Sequence, residues 1–224
     1  MGNLLTCLLV GLVVYACIFH QPTDRRAAAA TDIRTSVFVL PTGKRAKLTL
    51  EYERSALRAV APPYADDYGS WFREMHTAYE PQLRYVYETI RREVDHERYD
   101  LDEVVLRIVQ QIPYEYIPDT YRGRPAYGIF PPLVTLYENY GDCDSKSLLL
   151  ASLLTHEHPV LLLFGEQHAL VGLPGDPRPG DHWVRVAGRT WLLCETTSVG
   201  PIGRVGPGTW QDIQEGKYEA LLLD

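Results

Sequence analysis

The sequence predicts an α+β fold, because segments with helical periodicity come first along the chain and short β-favouring runs come last. Hydrophobic residues make up 46 % of the 224-residue chain and charged residues 23 %, which is typical of a globular protein. A strongly apolar segment after Cys143 predicts a buried helix between the two halves. No internal repeat is visible.

The N-terminal segment predicts attachment to a membrane. Leu4–Phe19 contains no charged residue and is short for a full span, but long enough for a signal sequence or a tight anchor. Arg25 and Arg26 follow it and, by the positive-inside rule, would favour a cytoplasmic domain. Separately, the pattern MGNLLT fits N-terminal myristoylation at Gly2. We expect a membrane-associated, extracytoplasmic chain, and whether the segment is cleaved, lipidated or retained stays open.

The remaining chain divides by composition. We assign residues 1–20 to the anchor or signal segment, 21–35 to a linker, 36–100 to a hairpin and helical region, and 101–224 to the core. In the third region two β-favouring runs, Val37–Leu40 and Lys47–Tyr52, flank a Pro-Thr-Gly-Lys turn. A helical pattern follows, which Pro81 is expected to kink or divide. Residues 36–95 predict no function.

The core is expected to begin with a helix capped by Asp100 and stopped by Pro113. About 25 residues rich in Tyr, Pro and Gly come next and predict a long loop that lines a site. The apolar helix starts near Cys143. Four strands are then expected, at about Val160–Phe164, Ala169–Leu173, His182–Val186 and Thr190–Glu195.

Charge and cysteine content exclude several classes of protein. The formal net charge of -7 argues against a nucleic-acid-binding protein. Only Cys143 and Cys194 lie outside the apolar N-terminal segment, so neither a disulfide framework nor a CxxC zinc site is expected. Alternation along a strand directs Cys194 and Glu195 to opposite faces. A Cys143–Cys194 bridge is therefore not expected if Glu195 faces the cleft.

Three residues together indicate nucleophilic chemistry. A thiol at a helix start has a lowered pKa, and Cys143 stands there, with Asp142 or Asp144 as the cap. His168 begins a predicted strand and Glu195 ends another, so adjacent antiparallel strands could bring base and acid to the thiol. Spacing alone favours a buried cysteine, a hydrogen-bonded histidine and a solvated glutamate over a triad, and the order Cys, His, acid only permits one.

Several motifs resemble the transglutaminase-like superfamily, a group with a papain-like fold that includes bacterial cysteine proteases. They are VVLRIVQQIPYEYIPD, FPPLVTLYENYGDCD with the helix SKSLLLASLL, QHALVGL and WLLCETTSVGPIG, in the family's order over about residues 101–203. Glu195 stands where many members have Asp, and Ser145 where a second Asp often follows. The resemblance implies helices that carry the catalytic cysteine packed on an antiparallel sheet.

The resemblance also implies roles for individual residues. Cys143 matches the nucleophile, His168 the base and Glu195 the acid of a thiol-dependent hydrolase or acyltransferase, which predicts a cysteine protease acting on a protein or peptide. An oxyanion would be held by the backbone N–H of Cys143 and by a side chain, with Gln110 and Tyr140 as candidates. No metal or cofactor is expected. The alternative is a catalytically silent domain that binds peptides or acts in assembly.

Overall fold

The computed structural model describes residues 31–40, 43–54, 57, 68–77, 79–95 and 97–224. The helices are α1 Tyr68–Thr77, α2 Glu80–Glu93, α3 Leu101–Gln110, α4 Pro132–Glu138, α5 Cys143–Leu154 and α6 Pro207–Gln214. The strands are β1 Thr31–Val39, β2 Arg45–Glu53, β3 Thr120–Tyr121, β4 Arg124–Pro125, β5 Val160–Phe164, β6 Ala169–Pro174, β7 Trp183–Val186, β8 Arg189–Cys194 and β9 Glu219–Leu223. This order of helices before an antiparallel sheet confirms the α+β prediction.

The helical half follows the apolar pattern of the sequence. The residues that the pattern placed on one face are buried; they are Phe72, Met75, Tyr79, Leu83, Val86 and Ile90. Pro81 stands in the first turn of α2, where its missing N–H costs nothing, and so it divides the segment into α1 and α2. Asp100 caps α3 by accepting hydrogen bonds from the N–H groups of Asp102 and Glu103.

Helix α5 is the centre of the fold. It contacts all four preceding helices as well as β5 and β6, and every residue in it except Asp144 is buried. Five leucines supply most of the apolar surface; they are Leu148, Leu149, Leu150, Leu153 and Leu154. Because burying one leucine stabilises the folded state by about 1.5–3 kcal/mol, α5 is fixed firmly in place.

The main sheet has the strand order β7-β8-β6-β5-β9, with every neighbouring pair antiparallel. A tight turn joins β7 to β8, with Ala187 and Gly188 both at positive φ. Val171 of β6 pairs with Cys194 of β8. The start of β6 and the end of β8 are therefore adjacent at the same end of the sheet. The residues that flank these two strands there lie side by side.

Three features differ from the sequence predictions. Strand β1 begins at Thr31, so residues 31–35 are strand rather than linker, because they pair with β2 as far as Glu53. The predicted loop after α3 contains α4, whose first residue is Pro132. The C-terminal segment forms β9 by pairing with β5.

The predicted membrane segment at residues 1–20 lies outside the described residues, and membrane attachment stays a prediction. Within the described ranges, no helix combines the length and apolar character that crossing a bilayer requires.

Candidate active site

Cys143 is the first residue of α5, as the sequence predicts, and only 7 % of it is exposed. Asp142 caps the helix: its Oδ1 accepts a hydrogen bond of 3.0 Å from the Ser145 N–H. The first N–H groups of a helix have no partner within it and favour a negative charge nearby. The fold therefore holds the sulfur at the N-terminal end of α5.

The residues after α3 hold the chain just before Cys143. Gly141 donates its N–H to the Pro113 carbonyl at 3.1 Å and accepts from the Glu115 N–H at 3.2 Å. A Cβ at position 141 would lie 3.1 Å from Thr135 Cγ2 and 3.2 Å from Ser145 Cβ. Only glycine allows this close approach without a shift of its neighbours, so the turn into α5 is sterically fixed.

His168 and Glu195 form a direct pair. The Nε2–H group of His168 donates to Glu195 Oε2 at 2.8 Å. The other carboxylate oxygen, Oε1, accepts from the Thr197 N–H at 2.8 Å and from the Thr197 hydroxyl at 2.6 Å. Glu195 is buried and His168 half-buried. Each carboxylate oxygen thus has a donor, which fixes the acid and, through it, the plane of the imidazole.

Ser147 connects this pair to the helix that carries the thiol. It lies one turn after Cys143, and its hydroxyl donates to the Ala169 carbonyl at 3.1 Å. The hydroxyl oxygen of Thr196 lies 3.2 Å from the hydroxyl oxygen of Ser147. Ala169 follows His168 and Thr196 follows Glu195 in the chain. Ala169 and Thr196, and with them the adjacent His168 and Glu195, are therefore tied to α5 one turn after Cys143.

The electrostatics of the site favour a positively charged His168 paired with the groups of Cys143 and Glu195. Burial alone would lower the pKa of His168, but hydrogen bonds with Cys143 and Glu195, together with their charges, raise it to about 10. Burial alone would raise the pKa of Glu195, yet the bonds from His168 and Thr197 bring it below its usual value. Since Nε2 bonds Glu195, Nδ1 is the ring nitrogen left for the thiol. At neutral pH the imidazole is expected to be charged.

A second carboxylate also faces the thiol. Asp144 is half-buried, and its Oδ1 accepts a hydrogen bond of 3.8 Å from Cys143 Sγ. The sequence prediction considered Asp144 only as a helix cap, a role that Asp142 fills. Sequence reasoning missed its contact with Cys143, because the rotamer that directs it there depends on tertiary packing.

Gln110 does not fit the predicted role of oxyanion donor. Its amide nitrogen donates to the Glu195 carbonyl at 2.8 Å and to the Gly200 carbonyl at 2.9 Å. Both hydrogens of the amide are thus engaged. Gln110 instead holds the backbone of the acid and of the loop that follows it, and its burial makes it a structural part of the site.

Replacing Gln110 with methionine is expected to lower the free energy of unfolding by about 2 kcal/mol or more, since two buried carbonyls lose their donors. It should also slow alkylation of Cys143, because Glu195 would lose a backbone anchor. Urea denaturation and mass spectrometry measure the two effects. Gln111→Met is the matched control, because Gln111 bonds the backbone of Val39 at an exposed position. Equal losses in both variants would contradict the assigned role.

Two tyrosines other than the predicted Tyr140 border the thiol. The Tyr140 ring lies 5.4 Å from that of Phe130, and among the described residues no hydrogen bond joins Tyr140 to the thiol. Burial and then the charge of Cys143 raise the pKa of Tyr114 to about 12. Burial, Asp212, Glu195 and Cys143 raise the pKa of Tyr218. Tyr114 ends the motif VQQIPY, but no local signal identifies Tyr218, which precedes β9.

Lys146 is a fully buried cation beneath the site. Its Nζ donates to the Ile112 carbonyl at 2.7 Å, just beyond the end of α3. Within the described ranges no carboxylate lies within 4.0 Å of it. Burial lowers its pKa to about 8, although the charge of Glu195 opposes the shift. Holding this charge therefore costs stability at neutral pH.

This cost predicts a pH dependence. Burial holds the pKa of Lys146 in the folded protein at about 8, below its ordinary value of 10.5. The unfolded chain therefore binds more protons between these values, and stability rises with pH across that window. Relative to Lys146→Met, the wild type should gain on the order of 3 kcal/mol. Urea denaturation at both ends of the window measures the gain, with exposed Lys47→Met as control. A constant difference between wild type and Lys146→Met would contradict the prediction.

Cys194 and His158 do not take part in this site. Cys194, like Cys143, is a buried free thiol. His158 bonds Asp102 at 2.8 Å, and no group of three metal-binding side chains occurs in the part of the chain that the structure describes.

Comparison with known proteins finds only weak structural similarity. No family model and no curated protein sequence matches it. Two crystal structures resemble it, those of a putative protease from Parabacteroides distasonis and a putative cysteine protease from Cytophaga hutchinsonii. The first has a TM-score of 0.37 and 11 % identity, and the match covers 77 % of this chain but only 41 % of that one. The second has a TM-score of 0.34 and 12 % identity, covering 87 % and 75 %.

Proposed function

We propose that the protein is a cysteine peptidase with a papain-like, transglutaminase-like core, in which Cys143, His168 and Glu195 form a catalytic triad. The observation that carries this proposal is the 2.8 Å bond between His168 Nε2 and Glu195 Oε2 beside a thiol at the start of α5. A nucleophile, a base and an orienting acid are the parts that covalent acyl transfer needs.

The geometry suggests how each residue acts. The Cys143 thiolate attacks the carbonyl carbon of a peptide bond, and the backbone N–H of Cys143 supports the oxyanion that forms. The His168 imidazolium gives its proton to the leaving amine as the C–N bond breaks. Neutral His168 then takes a proton from water, which attacks the thioester and releases the acid and the thiolate.

Glu195 and the surrounding contacts preorganise these steps. Its carboxylate balances the imidazolium through both stages, and Thr197 keeps it from rotating. Ser147 bonds Ala169 and Thr196, and so fixes the neighbouring His168 and Glu195 relative to α5. The reacting groups are thus positioned before substrate arrives, which is the main source of rate enhancement in such sites.

The test is a screen of unfolded proteins and peptides with the full chain, followed by mass spectrometry. New peptide termini that are absent with Cys143→Ala would support a peptidase. Conversion of glutamine to glutamate, or incorporation of an added amine, would keep the triad but change the acyl donor or acceptor. If wild type and Cys143→Ala give the same products across the screen, the silent binding domain becomes the better account.

A further inference from the structure

Asp144 is a charged residue in direct contact with the reacting sulfur. Its Oδ1 is 3.8 Å from Cys143 Sγ, and it is the one residue of α5 that is not buried. Asp142 already caps the helix. The position of Asp144 is therefore not explained by capping, and its partly exposed carboxylate lies beside the sulfur that a reagent must reach.

The groups around Asp144 supply one cation, His168, which Glu195 also binds. Asp142 and Cys143 face it from its own helix, and His168 faces it from the turn before β6. Tyr114 and Tyr218 interact with the thiol from other elements and are neutral at neutral pH, because their pKa values are raised. Glu195, which is negative, bonds the His168 ring.

The available cations are already committed. The imidazolium of His168 is bonded to Glu195. Lys146, on the same helix, directs its ammonium to the Ile112 carbonyl. Burial, and then the charge of Asp142, raises the pKa of Asp144 to about 6, while its bond with Cys143 and the charge of His168 limit the rise. The carboxylate is thus expected to be negative at neutral pH and to lose its charge in mild acid.

We propose that Asp144 selects the charge of the molecule that reacts with Cys143, excluding anionic groups and favouring substrates with a cationic group beside the attacked carbonyl. This rests on the proposed function, because Cys143 must be the nucleophile. A charged group on a molecule bound at the sulfur would lie close to the Asp144 carboxylate, and close charges interact more strongly in a half-buried site than in water. A peptide with a basic side chain or an amino group near the scissile bond fits this site, and an acidic peptide does not.

The selection can be measured without a known substrate. The full chain is alkylated with iodoacetate, iodoacetamide and 2-bromoethylamine, which are negative, neutral and positive, and modification of Cys143 is followed by mass spectrometry. The ratio of two rates at one pH cancels the fraction of thiolate, so it reports the charge that the reagent meets. The variants are Asp144→Asn, which preserves the shape, and Asp144→Ser.

In the wild type at about pH 7.5, the rate with iodoacetate relative to iodoacetamide should be roughly 5–10 times lower than in either variant. The rate with 2-bromoethylamine should change in the opposite direction. At about pH 5 the difference between wild type and variants should shrink, because the carboxylate of Asp144 is then protonated. Glu97→Gln, which removes an exposed negative charge elsewhere, should leave both ratios unchanged.

The outcomes separate the two proposals. Equal ratios in the wild type and both variants, with Cys143 reactive, would overturn the role of Asp144 and leave the triad intact. A loss of stability in the variants with unchanged ratios would show that Asp144 acts only structurally, which also overturns the inference. A Cys143 thiol that none of the reagents modifies would overturn the proposed function and this inference with it.

Discussion

Replacing His168 with alanine is expected to remove most of the reactivity of Cys143. The imidazolium next to the sulfur stabilises the thiolate, which is the reactive form, and alanine removes that positive charge. Alkylation by iodoacetamide at about pH 6 should then fall by roughly 10- to 100-fold. Hydrolysis of any substrate should fall further, because the leaving amine also loses its proton donor.

The chain offers a matched control for this change. His158 also bonds a carboxylate, with its Nε2 2.8 Å from Asp102 Oδ2. His158→Ala removes a similar pair without touching the site. If both variants alkylate at the wild-type rate, Cys143 does not depend on His168 and the triad is wrong. If both lose reactivity equally, the effect is a general one on the fold.

Replacing Glu195 with glutamine is expected to reduce hydrolysis roughly a thousandfold. The change keeps the shape of the side chain but removes the negative charge that balances the imidazolium. The two carboxylate oxygens of Glu195 now accept hydrogen bonds from His168 and Thr197. In glutamine one of these oxygens is an NH2 group, which cannot accept. The free energy of unfolding should fall by about 1–3 kcal/mol, because one of these donors loses its acceptor.

Glu103→Gln is the control for the effect on structure. Glu103 Oε1 accepts the Ile202 N–H at 2.9 Å, so this residue also anchors the segment after β8, but it does not contact His168. The account requires Glu195→Gln to lose far more activity than Glu103→Gln at comparable stability. Similar losses of activity in both variants would contradict an orienting role for Glu195.

The elements that local chemistry determines could be predicted from the sequence. Helix α5 begins at Cys143, because Asp142 caps it and an uninterrupted apolar run follows. Strands β5 and β6 also agree with the prediction, because their apolar runs are bounded by turn residues. Such features depend on a few neighbouring residues, and the sequence contains them.

Features that depend on distant partners could not be predicted. β9 exists because it pairs with β5, and the pattern EALLL does not specify a partner. The helical position of Gln110 was clear, but its two acceptors lie about ninety residues later in the chain. The pairing of His168 with Glu195 was expected from family resemblance, whereas the register of β6 on β8 and the bonds of Ser147 are what bring it about.

The most direct test of the account is an NMR titration of the His168 ring nitrogens in the full chain, for the wild type and for Cys143→Ala. The account predicts an imidazolium that persists to about pH 10 in the wild type, and a clearly lower pKa in Cys143→Ala, because the paired thiolate is then absent. A His168 that titrates near its ordinary value of 6.5 in both proteins would contradict the ion pair and, with it, the proposed peptidase.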